Sequence, residues 1–457
     1  MNYPVWNLPF AGAGMVVAVI AIFHVLVSHF AIGGGAFLFG AELWARKDPQ
    51  GPAIREWLHK YATFFLVFTT VMGAITGVAI WFSIQLAGPE ATSLLIHQFV
   101  FVWAIEWVMF VAELTSLYFY YYCWHRNSPG MQVFLAGTYL LTSWLSLVLI
   151  NAILTFMLTP GDWTLANPDL LAAVFNPTYW PSLILRTVFM LLLGGLFGFL
   201  IAAGIKDEAF KTRVVVFCSK WVFPAAVILP FVTYWYWTNL PPEVTGLVTS
   251  GMTGLSGGKL EALNRFLVMS AGCSVLILIG TWLVLLKPAA LGWGGALALI
   301  LVAQMAIAGG ESFREMARKP WLVYKVIYSN ALWKSQADDA EWMKKSFLEK
   351  SKWQQGITPL SAEHGEALFR LQCGACHTSD GYRSLKTRTV LHTEESLYNW
   401  FDTMASTGVM PPFSGDSRDR AALTAWLLAL NGQKIDAAGL HAKMTAALKS
   451  ADGKEGK

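Results

Sequence analysis

Long apolar runs dominate the first two thirds of the sequence. Seven of them, each close to the roughly 20 residues that cross a bilayer as a helix, lie at about 14–41, 61–87, 132–158, 183–205, 214–238, 266–286 and 289–310. An eighth run, at about 94–124, is equally long and apolar but contains Glu106 and Glu113. The pattern predicts an all-α fold, a polytopic bundle of eight transmembrane helices in a lipid bilayer.

This hydrophobic pattern stops near residue 310, where charged residues become frequent. Residues 1–309 contain 25 charged residues, whereas the remaining 148 residues contain 37. We therefore predict a transmembrane domain over 1–321, a linker along the surface over 322–360, a small all-α soluble unit over 361–432, and a polar, mobile tail over 433–457. The chain is 55% hydrophobic, which excludes an ordinary soluble enzyme, and its net charge of +4 predicts no nucleic-acid binding.

The basic residues of the short loops indicate the orientation of the bundle. Ten Lys and Arg residues follow the first, third, fifth and seventh spans, among them Arg46, Arg126, Lys206 and Lys287, and the alternate loops have very few. By the positive-inside rule the basic loops are cytoplasmic. We expect a multi-pass protein of the bacterial cytoplasmic (inner) membrane with periplasmic N- and C-termini. The N-terminus has no signal-peptide pattern, so the first span is expected to be retained.

The soluble unit contains a covalent haem attachment motif, Cys373-Gly374-Ala375-Cys376-His377. Two thiols at this spacing add to the porphyrin vinyl groups while the adjacent histidine ligates the iron, so the motif predicts one haem c. The alternative is a disulfide or half of a zinc site, but no second Cys/His pair follows. Met410, in a proline-rich loop, is the expected sixth ligand of the iron, and His392 is its rival.

Residues 361–432 resemble a small class I cytochrome c over their whole length. Ser361 is a favourable helix start, and Arg420–Leu430 has helical periodicity before a stop signal. The resemblance implies that these two helices pack together, with Phe369 meeting the helix of Trp426. Haem c is attached outside the cytoplasm, which agrees with the orientation predicted from the loops.

His24 and His29 in the first span and Glu106 and Glu113 in the third lie within apolar runs, where such side chains are costly. His24 and His29 are five residues apart in the first span, about 140° around a helix, so they cannot face one cofactor together. Glu106 and Glu113 are seven residues apart and nearly share a face, about 10 Å along the axis, which suits a proton path or a carboxylate at a metal. The alternatives are packed histidines and protonated structural carboxyls.

Charge concentrates again at the end of the eighth span, between residues 311 and 321. Glu311 and Glu315 share a helix face there, as do Arg314 and Arg318. The cluster is either a set of interfacial salt bridges or a site for the anionic propionates of a haem, which arginines bind.

Residues 10 to about 325 resemble subunit I of the cytochrome bd family of respiratory oxygen reductases. The matching segments are Phe23-His24-Val25-Leu26, Ala104-Ile105-Glu106, Phe175-Asn176-Pro177 and Glu315-Met316-Ala317-Arg318-Lys319-Pro320-Trp321. The resemblance implies that His24, Glu106 and Glu315 surround a di-haem site, as candidate ligands of one or two buried haems of type b or d. It also implies that Arg318 compensates charge at that site and that Glu113 lies on a proton path. A second multi-helix membrane subunit is the expected partner.

The sequence departs from the family at the site of the quinol-side haem b. That haem has a histidine ligand in the fifth span and a methionine in the seventh, but the matching positions are Leu185 or Arg186 and Leu267, with Met269 nearby. The loop between the sixth and seventh spans, roughly 239–263, is short, and the haem c unit replaces the family's ninth helix. We therefore predict electron input from a periplasmic or membrane donor such as a c-type cytochrome, and not from quinol.

The predicted function is that of an oxidoreductase, the membrane haem subunit of a cytochrome bd-like oxygen reductase. Electrons reach the buried haems through haem c, and protons arrive from the cytoplasm past Glu106 and Glu113. One alternative is an electron-transfer subunit of a larger respiratory complex without a gas-reducing site, and another is nitric oxide reduction. The sequence leaves the role of His29 open.

Overall fold

The computed structural model describes residues 6–250, 259–351 and 356–455. Helices make up 76% of the structure. Within the described ranges, eight helical segments are long and apolar enough to cross a membrane. The predicted all-α polytopic bundle is therefore confirmed.

The bundle runs from α1 to α12. In chain order its segments are α1 (Ala13–Lys47), α2 (Gly51–Val67), a π-helical turn (Phe68–Met72), α3 (Gly73–Ala87), α4 (Pro89–Gln98), α5 (Val100–Tyr122), α6 (Pro129–Phe156), α7 (Leu170–Val174), α8 (Tyr179–Ala202), α9 (Glu208–Thr238), α10 (Pro242–Ser250), α11 (Lys259–Leu286), a 3-10 turn (Pro288–Ala290) and α12 (Trp293–Arg318). The predicted run 94–124 is divided between α4 and α5. The helix breaks at Phe99 (φ −113°, ψ 24°), whose ring is buried edge-on against Phe156 with centroids 5.1 Å apart.

Helices α1 and α8 cross with their backbones in contact. A Cβ atom on Gly33 would lie 1.8 Å from the carbonyl oxygen of Met190, and one on Gly194 would lie 2.4 Å from that of Gly33. Small residues permit this close approach of membrane helices. The crossing fixes the relative height of the two helices, with His29 of α1 beside Arg186 of α8.

The segment after α12 differs from the surface linker predicted for 322–360. It contains an antiparallel hairpin, β1 (Trp321–Val323) and β2 (Ile327–Tyr328), followed by α13 (Lys334–Ala337), α14 (Ala340–Lys344) and α15 (Phe347–Lys350). Val323 and Ile327 are buried in a core cluster of the bundle, whereas Phe347 is buried in the core of the C-terminal unit. The segment joins two cores because it carries apolar side chains for each of them.

The C-terminal unit consists of α16 (Ala362–Leu368), a π-helical turn (Phe369–Cys373), α17 (Leu385–Thr389), α18 (Glu394–Thr403), α19 (Ser417–Ala429) and α20 (Ala437–Glu455). The hydroxyl of Ser361 caps α16, as predicted, by accepting a bond from the amide of His364 at 3.1 Å. The predicted contact between α16 and α19 is also present: the rings of Phe369 and Trp426 stack with centroids 4.7 Å apart.

The prediction of a mobile tail is wrong for residues 437–455. They form α20, which buries Leu440 and Met444 in a small cluster with Tyr398 and Ala421. Two apolar side chains one turn apart suffice to attach a helix to an existing core. So sparse a pattern in a polar segment gives no clear helical periodicity in the sequence.

Candidate functional site

The Cys-X-X-Cys-His segment is a compact turn that follows α16. The amides of Cys376 and His377 each donate to the carbonyl oxygen of Cys373 at 3.0 Å, and both thiols are free. The Nδ1 atom of His377 lies 2.9 Å from the carbonyl oxygen of Arg383. Because a carbonyl only accepts, Nδ1 carries the proton and Nε2 keeps the lone pair that a haem iron requires. Burial lowers the pKa of His377 and keeps the ring neutral.

Met410 lies against the same core as the attachment turn. Cys373 and Met410 both pack on the apolar cluster at the centre of the C-terminal unit. The loop is held by a hydrogen bond from the amide of Met410 to the hydroxyl of Thr407 at 3.2 Å. His392, the rival ligand, lies just before α18, where its Nδ1 is 3.1 Å from the hydroxyl of Ser396. The structure thus brings Met410 and Cys373 together on one core.

In the described part of the chain, the ring of His24 makes a hydrogen bond between its Nδ1 and the hydroxyl oxygen of Thr76 at 3.0 Å. The Thr76 hydroxyl donates its own proton to the carbonyl oxygen of Met72 at 2.6 Å. It must therefore accept from His24, which puts the imidazole proton on Nδ1 and leaves the lone pair on Nε2. This is the tautomer that a metal-ligating histidine requires, with its other nitrogen held by a second residue.

His29 is held differently, in a buried charged network. Its Nδ1 donates to the carbonyl oxygen of Val25 at 2.8 Å, and its Nε2 lies 3.4 Å from Nη1 of Arg186. Arg186 also pairs with Glu311 at 3.4 Å, and Glu311 pairs with Arg314 at 2.8 Å. Both ring nitrogens of His29 are therefore engaged, and the guanidinium of Arg186 fills the region beside it.

The carboxylates of α5 belong to a longer polar stripe. Glu106 accepts a bond from the hydroxyl of Ser146 at 2.8 Å, and Glu113 lies beside the hydroxyl of Tyr139. One heptad further along the same face, the hydroxyl of Tyr120 donates at 3.0 Å to Glu42, which is fully buried. The stripe therefore continues from the middle of α5 to the end of the bundle that carries the basic loops.

The end of α12 carries more cations than carboxylates. Four cations surround two carboxylates: Arg186, Arg314, Arg318 and Lys319 with Glu311 and Glu315. Glu315 pairs with Arg318 and, at 2.9 Å, with Nζ of Lys319. The Nη1 atom of Arg314 and the Nε atom of Arg318 are buried without a hydrogen-bond partner in the described part of the chain. Surplus cations with unsatisfied donors fit an anionic group such as a haem propionate.

The residues predicted to share a di-haem site lie on three helices. His24 is on α1, Glu106 on α5 and Glu315 on α12, and no hydrogen bond or ion pair joins any two of them among the described residues. Met269, the possible second ligand of a quinol-side haem, is half-buried in α11. Leu185 packs against the main core of the bundle.

The partners that orient these groups do not stand out in the sequence. Thr76 and Ser146 are single hydroxyl residues within apolar spans, and hydroxyls at such positions commonly bond their own helix backbone. Glu42 was missed because it lies at the edge of the first apolar run, beside basic residues that make it look like a surface group. A carboxylate at the boundary of a span was the available signal.

An eight-span helical bundle with buried histidine, carboxylate and arginine side chains defines a polytopic membrane protein with polar functional sites in its interior. Residues 13–234 match the family model of cytochrome bd terminal oxidase subunit I. The matched residues, 222 of 457, are similar to that subunit over slightly less than half of the chain. A search of curated proteins gave no match.

A solved structure also resembles the chain. A chain from the structure of bd oxidase from Geobacillus thermodenitrificans aligns with a TM-score of 0.56 and 16% sequence identity, covering 69% of this chain and 89% of that chain. Identity this low shows the shared fold only. The family match and this shared fold make the membrane part of the chain similar to subunit I of cytochrome bd terminal oxidase.

Proposed function

We propose that the chain is the membrane haem subunit of a cytochrome bd-like oxygen reductase that receives its electrons through a covalent haem c. The observation that carries this proposal is the joining of a bd-family bundle to a Cys-X-X-Cys-His turn, in which Arg383 holds Nδ1 of His377 and leaves Nε2 for an iron. Met410 is the proposed sixth ligand of that iron. The proposed domains are the membrane bundle over 1–321 and the haem c unit over 361–432, to which α20 is added because it packs on that unit.

The buried haems are proposed to lie beside His24, Glu106 and Glu315. The tautomer of His24 supports ligation by its Nε2, whereas both nitrogens of His29 are engaged. The unsatisfied donors of Arg314 and Arg318 support binding of propionates at the end of α12. When bound, the haems supply the electron relays and the redox centre, and the protein supplies their positions and the protons.

Protons are proposed to move along the polar stripe of α5. Glu42 and Tyr120 lie at the end that the positive-inside rule assigns to the cytoplasm, and Glu113 and Glu106 follow toward the interior. The hydroxyl of Ser146 orients the carboxyl of Glu106, and the hydroxyl of Tyr139, which donates to the carbonyl oxygen of Ala31 at 3.1 Å, lies beside Glu113. Each carboxyl can hold a proton and release it, which a chain of apolar side chains cannot do.

Arg186 supports electron input from a c-type cytochrome instead of quinol. Its guanidinium occupies the region where the family resemblance places the histidine of the quinol-side haem, and arginine does not ligate haem iron. It is held there by Ser182, His29 and Glu311. We therefore propose a periplasmic or membrane donor that reduces haem c, with both termini on the periplasmic side.

The test uses the full-length protein purified in detergent together with its second subunit. We expect haem c and a b- or d-type haem in a pyridine haemochrome assay, a Soret shift of the reduced protein with carbon monoxide, and oxygen consumption driven by a reduced c-type cytochrome but not by quinol. Haem c alone, or an unshifted Soret band, would instead indicate a closed electron-transfer subunit. Consumption of nitric oxide but not of oxygen would indicate a nitric oxide reductase.

A variant separates the electron route from the reaction itself. The double variant Cys373→Ala/Cys376→Ala removes both proposed thioether bonds to haem c and leaves the residues of the membrane bundle unchanged. We expect cytochrome-driven oxygen consumption to be lost while the carbon monoxide spectrum of the buried haem persists. Unchanged cytochrome-driven activity would contradict the proposed route.

A further inference from the structure

The turn that carries the haem c motif lies directly on the first residues of α1. The amide of Tyr382 donates to the carbonyl oxygen of Phe10 at 2.9 Å. A Cβ atom on Gly381 would lie 2.3 Å from that same carbonyl oxygen, and one on Gly14 would lie 2.6 Å from the carbonyl oxygen of Ala375, in the middle of the motif. Backbone meets backbone at both places, so this contact has no room for side chains.

The loop that carries Met410, the proposed sixth ligand, also contacts the bundle. Val409, which precedes the candidate ligand Met410, packs against a cluster at the end of α12 that includes Phe313 and Met316. The elements on both sides of the proposed haem c therefore contact the bundle, one at the start of α1 and the other at the end of α12.

We propose that the start of α1 and the end of α12 form a fixed docking site for the haem-binding face of the C-terminal unit, so that haem c delivers electrons from a clamped position. The inference rests on the proposed function and adds the place on the bundle at which haem c delivers its electrons. The turn sits over α1, which carries His24 ten residues beyond Gly14, about 15 Å along the helix axis. A second contact made by Val409 prevents the unit from pivoting about the first.

Gly14 permits a sharp test because of where it lies in its helix. It is the second residue of α1, and alanine there is intrinsically better for a helix than glycine. Any loss of electron-transfer rate in Gly14→Ala must therefore come from the contact with Ala375. Gly294 is the matched control: it is the second residue of α12, and an added Cβ there meets nothing within 4 Å.

The measurement is electron backflow from the buried haem to haem c after photolysis of carbon monoxide in the partly reduced full-length protein, followed in the α-band of haem c. In Gly14→Ala and Gly381→Ala we expect the rate to fall about tenfold, since displacing reacting groups on the ångström scale costs rates of that order. Haem content and the carbon monoxide spectrum should remain those of the wild type. Gly294→Ala should transfer at the wild-type rate.

The outcomes separate the two proposals. No electron transfer between the haems in the wild type contradicts the proposed function, whereas wild-type transfer that both glycine variants preserve contradicts the docking site alone. Hydrogen exchange in the wild type provides a readout that needs no variant. The amide of Tyr382 should exchange slowly in the full chain, and rapid exchange would overturn the proposal even where the variants fail to assemble.

Discussion

The Nε2 atom of His29 lies 3.4 Å from Nη1 of Arg186, and this contact distinguishes the two histidines of α1. Among the described residues, both nitrogens of His29 meet protein groups, whereas the hydrogen bond of His24 is made by Nδ1. The two histidines are similar in sequence, each in an apolar run, but their neighbours give them different chemistry.

Removing His24 should therefore remove a haem, and removing His29 should not. We expect His24→Ala to lose a buried b- or d-type haem and to keep haem c, because its Nε2 is the proposed iron ligand. His29→Ala is the matched control, and it should keep every haem while loosening Arg186. A pyridine haemochrome assay on both variants measures this. Full haem content in His24→Ala would show that this histidine is only a packing residue.

Replacing Met410 should change haem c alone. Met410→Ala removes the soft thioether, so haem c should become high-spin with a lower reduction potential. Absorption spectra and a redox titration of the full-length protein measure the change. His392→Ala should leave both unchanged, since its imidazole is bonded to Ser396. If His392→Ala changed the spectrum and the potential and Met410→Ala did not, His392 would be the sixth ligand.

Glu106 should control proton delivery without controlling electron transfer. In Glu106→Gln we expect oxygen consumption to fall about 10²-fold, because the amide keeps the hydrogen bond to Ser146 but cannot carry a proton. Reduction of the buried haem by haem c without oxygen should stay at the wild-type rate. Ser146→Ala should have a smaller effect. If anaerobic haem reduction slowed in parallel, Glu106 would be a structural group of the haem site.

Asp419 should stabilise the C-terminal unit by satisfying buried donors. Its fully buried carboxylate accepts bonds from the amide of Phe347 at 2.6 Å, from the hydroxyl of Ser346 at 3.1 Å, and from Nε2 of His364 at 2.8 Å. Asp419→Ala leaves these donors unpaired and should cost about 3 kcal/mol of unfolding free energy. The thermal transition of the haem c Soret band measures it.

Asp402→Ala is the control for that change. Asp402 pairs with Arg420 but is mostly exposed, and exposed pairs contribute about 1 kcal/mol or less. Similar losses of unfolding free energy in Asp419→Ala and Asp402→Ala would mean that the buried hydrogen bonds of Asp419 contribute no more to stability than an exposed ion pair does.

Lys350 should make the stability of this unit depend on pH. Burial lowers the pKa of Lys350 from 10.5 to about 8. Below about pH 8 the lysine is protonated in both the folded and unfolded states, and the cost of the buried charge is present in full. Between about pH 8 and 10.5 only the unfolded state keeps the proton, so this contribution makes the protein more stable as pH rises.

The comparison with Lys350→Met isolates this lysine. The thermal transition of the wild type should rise across that pH range relative to the transition of the variant. A constant difference between the two proteins would contradict the lowered pKa.

The membrane spans and the haem c motif were predictable from sequence because each follows from a local requirement. Backbone polar groups in lipid must bond within their own helix, so long apolar runs such as those of α1 and α6 are helical whatever surrounds them. The Cys-X-X-Cys-His spacing reflects the distance between two vinyl groups and an iron. The stacking of Phe369 on Trp426 was also predictable, from the resemblance to class I cytochromes c.

Other features depend on neighbours that no local pattern specifies. The hairpin of β1 and β2 and the helix α20 are held by a few apolar side chains that enter cores built from distant parts of the chain. Helical periodicity gave the angle between His24 and His29 but not the groups that each one meets.

The sequence by itself determined a helical membrane protein, with eight apolar spans in the described ranges, a Cys-X-X-Cys-His motif and costly polar residues inside the spans. The tertiary structure alone decided which histidine nitrogens meet protein groups, which arginine nitrogens are buried without a hydrogen-bond partner among the described residues, and where the Cys-X-X-Cys-His turn meets α1. The physical reason is that helix formation in lipid and the spacing of a Cys-X-X-Cys-His motif each depend on one short segment of the chain. Hydrogen-bond partners, charge balance and backbone contacts arise only when segments far apart in the chain come together.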